Sequence, residues 1–237
     1  MLLELFSGFL GKKRLSYNGC AFLNFDERLK IGPALVNSIV RLWKTSELRY
    51  ISLRNEKYAY TTFPIDKINS IDFQSIISID FHASRQIDYA ESVVSVYLGG
   101  EHNTYCVRCA QKETFAEMVG KFAALTTIDY GLCMYEFPAS SNFLAKVYGL
   151  SNGKFSWQGK LRSILSGKIP AVFEENLLNE IQLYRISACG IRLFDVINSD
   201  ERFGTLLKAG NMWIWSVQKS HLRDVEIICR RSGFCIA

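Results

Sequence analysis

The stretch from Glu91 to Phe137 constrains the fold most, because it reads strand, tight turn, strand, helix, strand without interruption. Glu91-Ser-Val-Val-Ser-Val-Tyr-Leu98 alternates small or polar with apolar residues, Gly99-Gly100 turns the chain, and Asn103 to Cys109 runs back. A two-residue glycine turn between β-rich runs predicts a hairpin. Thr114 to Leu125 then spaces Phe115, Met118, Val119 and Phe122 at the helical period, and Ile128 to Tyr135 returns to strand composition. Such a block builds a core. It names no reaction.

The flanking sequence extends the same grammar. Tyr17 to Phe25 has strand composition, with Cys20, Phe22 and Phe25 expected inward. Gly32-Pro33 opens a helix, since proline suits a first turn, and Val36, Ile39, Val40 and Trp43 form its apolar stripe. Leu48 to Leu53, Lys57 to Phe63 and Ile76 to Phe81 read as further strands, with a short helix or loop around Ile65 to Ile71 and a polar loop over 83–90. The order 17–25, 33–45, 48–54 is echoed by 103–109, 112–126, 129–137, without sequence identity between the two halves. These elements predict an α+β fold, a largely antiparallel sheet covered by helices on one face.

After Phe137-Pro138 the texture changes. Ser140 to Tyr148 reads as a helix, and the turn-rich Ser151-Asn-Gly-Lys-Phe-Ser-Trp-Gln-Gly159 marks a boundary. A smaller α+β unit follows, with a short helix or extended arm at Leu161 to Leu165, a helix through Gln182-Leu183 and an element at Ile191 to Val196. A hairpin is expected around Ala209-Gly210, and a final helix capped by Ser220. The expected division is a sheet domain over 1–150 and a C-terminal unit over 151–237. No linker is long enough for free domain motion, so the two should form one compact body.

Composition excludes several classes. A hydrophobic share of 49% with 22% charged residues is that of a globular chain. The net charge of +5, from 28 Lys and Arg against 23 Asp and Glu, is mild and scattered. Lys12-Lys13-Arg14 and Arg230-Arg231 are too short to track a phosphate backbone, so no nucleic-acid partner is expected. Seven cysteines form an odd, widely spaced set with mostly apolar neighbours, which predicts reduced, buried thiols and a cytoplasmic location. Met1 to Leu10 is apolar, but Glu4 interrupts it and the basic residues follow rather than precede it. That order suits a short amphipathic helix better than a secretory leader. No window approaches the roughly 20 apolar residues of a membrane span, so membrane insertion is not expected.

Several constellations could carry chemistry. Cys106-Val-Arg-Cys109 could bind zinc or exchange thiols, but a structural zinc site needs two further ligands. Residues three apart on a strand also belong to opposite faces. His82, His102 and His221 have no Asp, Glu or Cys at ligand spacing. Glu174-Glu175 suits acid–base work or the start of a helix, and Ser199-Asp-Glu-Arg202 is a second acidic cluster. Trp213 and Trp215 share one strand face, as a binding platform or as core. The nucleophile elbow, the metalloprotease helix and the phosphate loop are missing. No catalytic, cofactor-binding or metal residue is assigned, and no cofactor is expected. The balance favours work by surface complementarity over enzymatic turnover.

Ile169-Pro-Ala-Val-Phe-Glu-Glu-Asn-Leu-Leu178, with Phe203-Gly-Thr-Leu206, the Trp213 to Ser216 strand and the terminal helix, resembles the C-terminal part of bacterial immunity-type proteins. There a V-(F/Y)-x-x-N-x-L segment precedes a G-T-L turn, a strand and a last helix. The Ile128-Asp-Tyr-Gly-Leu132 strand after an apolar helix is similar to type VI secretion immunity proteins. The resemblance implies neutralisation of a cognate protein toxin or effector by direct stoichiometric binding. Immunity proteins against nucleases are often acidic, so a basic chain points to an acidic or neutral toxin surface. The alternatives are an enzyme assembled around Cys106 or His82, and a non-catalytic scaffold or accessory protein.

Overall fold

The computed structural model describes residues 16–24, 32–43, 48–55, 57, 60–82, 93–99, 102–109, 114–138 and 161–236. The expected N-terminal helix, the basic run at 12–14, the helix at 140–148 and the loops at 83–90 and 151–159 lie outside these residues.

The strands are β1 (Ser16–Asn24), β2 (Tyr50–Asn55), β3 (Tyr60–Pro64), β4 (Ile76–His82) and β5 (Val93–Gly99). They continue with β6 (His102–Cys109), β7 (Tyr130–Pro138), β8 (Glu175–Leu178), β9 (Thr205–Ala209) and β10 (Met212–Ser216). All ten join one sheet in the order β3-β2-β4-β5-β6-β1-β7-β8-β10-β9. Every neighbouring pair is antiparallel. The α+β class expected from the periodicities is the one observed, and the sheet runs unbroken from the N-terminal strands into the C-terminal unit.

The middle of the sheet explains itself by composition. In β1, Cys20, Ala21, Phe22 and Leu23 are all buried, which is the pattern of a strand covered on both faces. Cys20 and Phe22 enter one apolar cluster, Ala21 and Leu23 the other. β7 splits likewise, with Cys133 on the first face and Tyr130, Leu132 and Met134 on the second. The sequence marks Cys20 and Phe22 as inward, together with Phe25, which lies outside the described residues, but neither Ala21 nor Leu23. The C-terminal unit buries their neighbours.

The first face is covered by α1 (Pro33–Leu42) and α2 (Phe115–Ala123). α2 begins at a complete capping box, in which Thr114 accepts from the Glu117 N–H and Glu117 accepts from the Thr114 N–H. Such a cap stabilises a helix by about 1 kcal/mol. Its Phe115, Met118, Val119 and Phe122 are buried, each worth about 1.5–3 kcal/mol. Phe22 stacks on Phe115 at 5.6 Å and tilts against Phe122 at 4.5 Å, which ties helix to sheet.

The second face, over β1, β7, β8 and β10, carries the helices of the C-terminal unit. These are α3 (Leu161–Leu165), α4 (Glu180–Leu183), α5 (Leu193–Ser199) and α6 (Leu222–Arg231). Ile164, Leu183, Leu193, Ile197, Val225 and Cys229 pack there against Trp215 and Tyr130. The tail closes the unit, as Ile169 and Cys235 form a parallel bridge and the Ile236 N–H donates to the Ile169 carbonyl at 2.9 Å. α6 begins after His221 rather than Ser220, and its first turn has no side-chain cap; Asp224 supplies negative charge there instead.

Candidate functional site

The residue pattern quoted for the C-terminal resemblance has a structural explanation. Asn176 is fully buried at the start of β8. Its carboxamide accepts from the Phe173 N–H at 3.1 Å and donates to the Phe173 carbonyl at 2.8 Å and to the Trp215 carbonyl at 3.4 Å. The side chain thereby replaces the ladder where the backbone turns into the strand. Gly204 opens β9 at φ 93° and ψ −152°, and a Cβ there would sit 1.9 Å from the Ser216 carbonyl oxygen. Trp215 donates from its indole to the Phe203 carbonyl at 2.6 Å, just before that glycine. Val172, Asn176, Leu178 and Gly204 therefore hold one corner of the sheet.

The histidine and cysteine candidates separate. His82 is buried, and its Nε2 lies 2.8 Å from Ser52 Oγ, which is also 2.8 Å from Thr62 Oγ1; the Tyr50 ring stacks on it at 5.9 Å. Asp80, two positions earlier on β4, is buried as well. A serine against an imidazole can pass a proton, but Ser52 is completely buried in mid-strand between β3 and β4. The arrangement is a polar seam joining three strands. His221 precedes α6, far in sequence from that seam. His102, Cys106 and Cys109 occupy β6, where Cys106 registers with Ala21 and Cys109 with Asn18. Among the described residues no group of three His, Cys, Asp or Glu is placed to hold a metal ion.

The carboxylates also find structural partners. Glu175 does not begin a helix, as its neighbourhood suggested, but starts β8 opposite Cys133. Burial raises its carboxyl above the usual range, while a hydrogen bond from Tyr135 works the other way. Asp200 caps a 3-10 turn (Glu201–Phe203) and pairs with Arg202 at 2.6 Å, and its hydrogen bonds from Arg202 bring its pKa to about 2. Of the two roles open to the tryptophan pair, Trp215 takes that of core, and Trp213 packs half-buried against Phe194, with Lys208 Nζ 5.3 Å above its ring.

What sequence reasoning did not single out is an exposed apolar cluster on the C-terminal unit. Leu165 ends α3, Ile181 lies on α4 with Tyr184 at its C-cap, and Ile186 and Ile191 sit on the tight bend between α4 and α5. Ile181 and Ile186 keep 62% and 63% of their surface, and the other three are exposed too. They are drawn together by local contacts. The backbone at Gly167 lies against Ile181, and the Arg185 guanidinium donates to the Ser166 carbonyl. The bend is closed by the Ile186–Arg192 bridge and by the Ser187 N–H donating to Ile191 at 2.8 Å. Tyr184 packs on Phe194 at 5.6 Å with the Arg192 guanidinium 6.0 Å above its ring, and Arg192 pairs with Asp195. Solvent normally disfavours such a concentration on one surface. Apolar side chains bordered by guanidinium groups are the composition of a protein-binding patch.

No family model matches the chain, and no curated protein or solved structure is similar to it. The fold is an antiparallel α+β sheet with helices on both faces. Among the described residues no helix is long and apolar enough to cross a membrane.

Proposed function

We propose that the protein is an immunity-type binding protein that neutralises a cognate bacterial toxin by forming a direct, stoichiometric complex. One observation carries the reading. Five of the exposed large apolar side chains of this unit, Leu165, Ile181, Tyr184, Ile186 and Ile191, lie on α3, α4 and the bend that follows, whereas Leu207 on β9 and Ile227 and Ile228 on α6 are exposed elsewhere on it. The helices and the bend that present them are held by a capping box at Asn179 and by main-chain bonds, so the surface is formed before it meets a partner. A preformed surface loses little conformational entropy on binding, which favours tight association. Arg185 and Arg192 border it, in a chain of net charge +5, so the fitting toxin surface is apolar at its centre and neutral or acidic around it.

The test is co-expression with the product of the neighbouring gene. The reading predicts a one-to-one complex on co-purification and protection of the host from that product's toxicity. Absence of both would sink it.

A further inference from the structure

Two thiols in the centre of the sheet have no place in that reading. Cys20 on β1 and Cys133 on β7 face each other directly in register, and their Sγ atoms lie 3.3 Å apart. Both are buried in the same apolar cluster. The next residue in the row is Glu175 on β8, opposite Cys133, and the Tyr135 hydroxyl donates to it. Glu175 and Tyr135 are only half-buried, so solvent reaches the edge of the row one strand away from the sulfurs.

We propose that Cys20 and Cys133 form an oxidisable dithiol, which a small peroxide converts to a disulfide across the central strands. Opposed cysteines on neighbouring strands already have the separation a disulfide needs, and closing 3.3 Å to the bond length of about 2.05 Å takes side-chain rotation only. Cys133 gives its proton to water or to the Glu175 carboxylate, and its thiolate attacks one oxygen of hydrogen peroxide. The O–O bond breaks, the departing hydroxide takes up a proton as water, and a sulfenic acid remains on Cys133. Cys20 Sγ then attacks that sulfur, the S–S bond forms, and the hydroxyl leaves with the Cys20 proton as a second water. Two thiols and one peroxide become one disulfide and two waters, with two electrons passing from sulfur to oxygen.

Position gives the bond its consequence. β1 is hydrogen-bonded to β6 on one side and β7 on the other, at the middle of the ten strands. A link there closes a loop spanning 113 positions, and long loops lose the most unfolded-state freedom when tied. The oxidised chain therefore unfolds at higher denaturant than the reduced one. Among the described residues Cys229 and Cys235 are a competing thiol pair, but the hydrogen bond from Cys229 pushes the Cys235 thiol up, and both lie on the other face of the sheet, away from the Cys20–Cys133 row.

The full chain, carrying Cys189→Ser to remove its exposed thiol, is treated with hydrogen peroxide, quenched with catalase, unfolded and alkylated. Peptide mapping by mass spectrometry should show the Cys20 peptide joined to the Cys133 peptide, two hydrogens lighter than their sum and separated again by reductant. Two of the remaining thiols escape alkylation, and the urea midpoint rises only while both cysteines are present. Cys20→Ala and Cys133→Ala each abolish the link. The map of the parent chain decides the matter even if either variant fails to fold. Full alkylation of Cys20 and Cys133 at a dose that oxidises Cys189 in the wild-type chain overturns the proposal, as does a Cys229–Cys235 link alone.

Discussion

Replacing Gly204 with alanine tests how far the corner between β9 and β10 is dictated by backbone geometry. At φ 93° and ψ −152° the residue occupies a region that is essentially glycine-only, and forcing an L-residue there costs about 1–3 kcal/mol. The added methyl would also stand 1.9 Å from the Ser216 oxygen and 2.9 Å from its carbonyl carbon, so the strands must part by more than an ångström. That movement pulls on Phe203, whose carbonyl accepts the buried Trp215 indole N–H at 2.6 Å. Stranding that donor costs about 1–3 kcal/mol more. The expected loss is therefore about 2–6 kcal/mol. Gly210→Ala is the control, with φ 65° and open space around the new atom, so only the left-handed penalty of about 1–2 kcal/mol applies. With a urea slope of about 3 kcal/mol per molar, Gly204→Ala should lower the midpoint by roughly 0.7–2 M and Gly210→Ala by about 0.5 M. Equal shifts for the two variants would refute the argument, because both share a positive φ and only one meets a neighbouring strand.

Three further outcomes follow from the same structure. Asn176→Ala removes the partner of the Phe173 N–H and carbonyl inside a closed core, and should cost about 2–4 kcal/mol in urea denaturation; a loss below about 1 kcal/mol would show that the carboxamide is not holding the turn. Glu175 is held above its ordinary pKa, so its protonated form is the one the fold favours, and wild-type stability falls as pH rises from the unfolded value of about 4.3 through the folded one. Glu175→Gln should therefore be more stable than wild type at pH 7.5, with the advantage vanishing near pH 4; a difference independent of pH would contradict the assignment. Asp200 behaves oppositely, since its pKa is lowered to about 2. Its contribution is present above about pH 4 and is lost as pH falls through about 2, and Asp200→Asn should remove that part of the acid dependence.

Much of the architecture can be read from period and capping. The β5–β6 hairpin, the Thr114 helix with its Phe115, Met118, Val119 and Phe122 face, and the β9–β10 hairpin all form where local chemistry suggests, although Gly99 and Ala209 are the last paired residues of their strands, opposite His102 and Met212, and not turn residues as expected. Strand order is another matter. β1 pairs with β6 and β7, about 80 or more positions away, and no local signal announces that this early strand is the middle of the sheet. The burial of Ala21 and Leu23 is hidden for the same reason, since it depends on a unit encoded over 140 residues later. Glu175 shows the limit of composition, because a Glu-Glu pair ahead of leucines fits a helix start as well as a strand. The exposed cluster was legible in part. Ile181, Tyr184, Ile186 and Ile191 are spaced without one consistent helical face, which is what apolar residues look like when a core does not claim them.

The most direct test of the account is a binding comparison across that cluster. Ile181→Glu combined with Ile186→Glu changes two highly exposed side chains, so the urea midpoint should match wild type within about 0.5 kcal/mol of stability. Size-exclusion chromatography with the neighbouring gene's product should show a one-to-one complex for wild type and none for the double variant. Protection in co-expression should disappear with the complex. A folded double variant that still binds and protects would contradict the central claim.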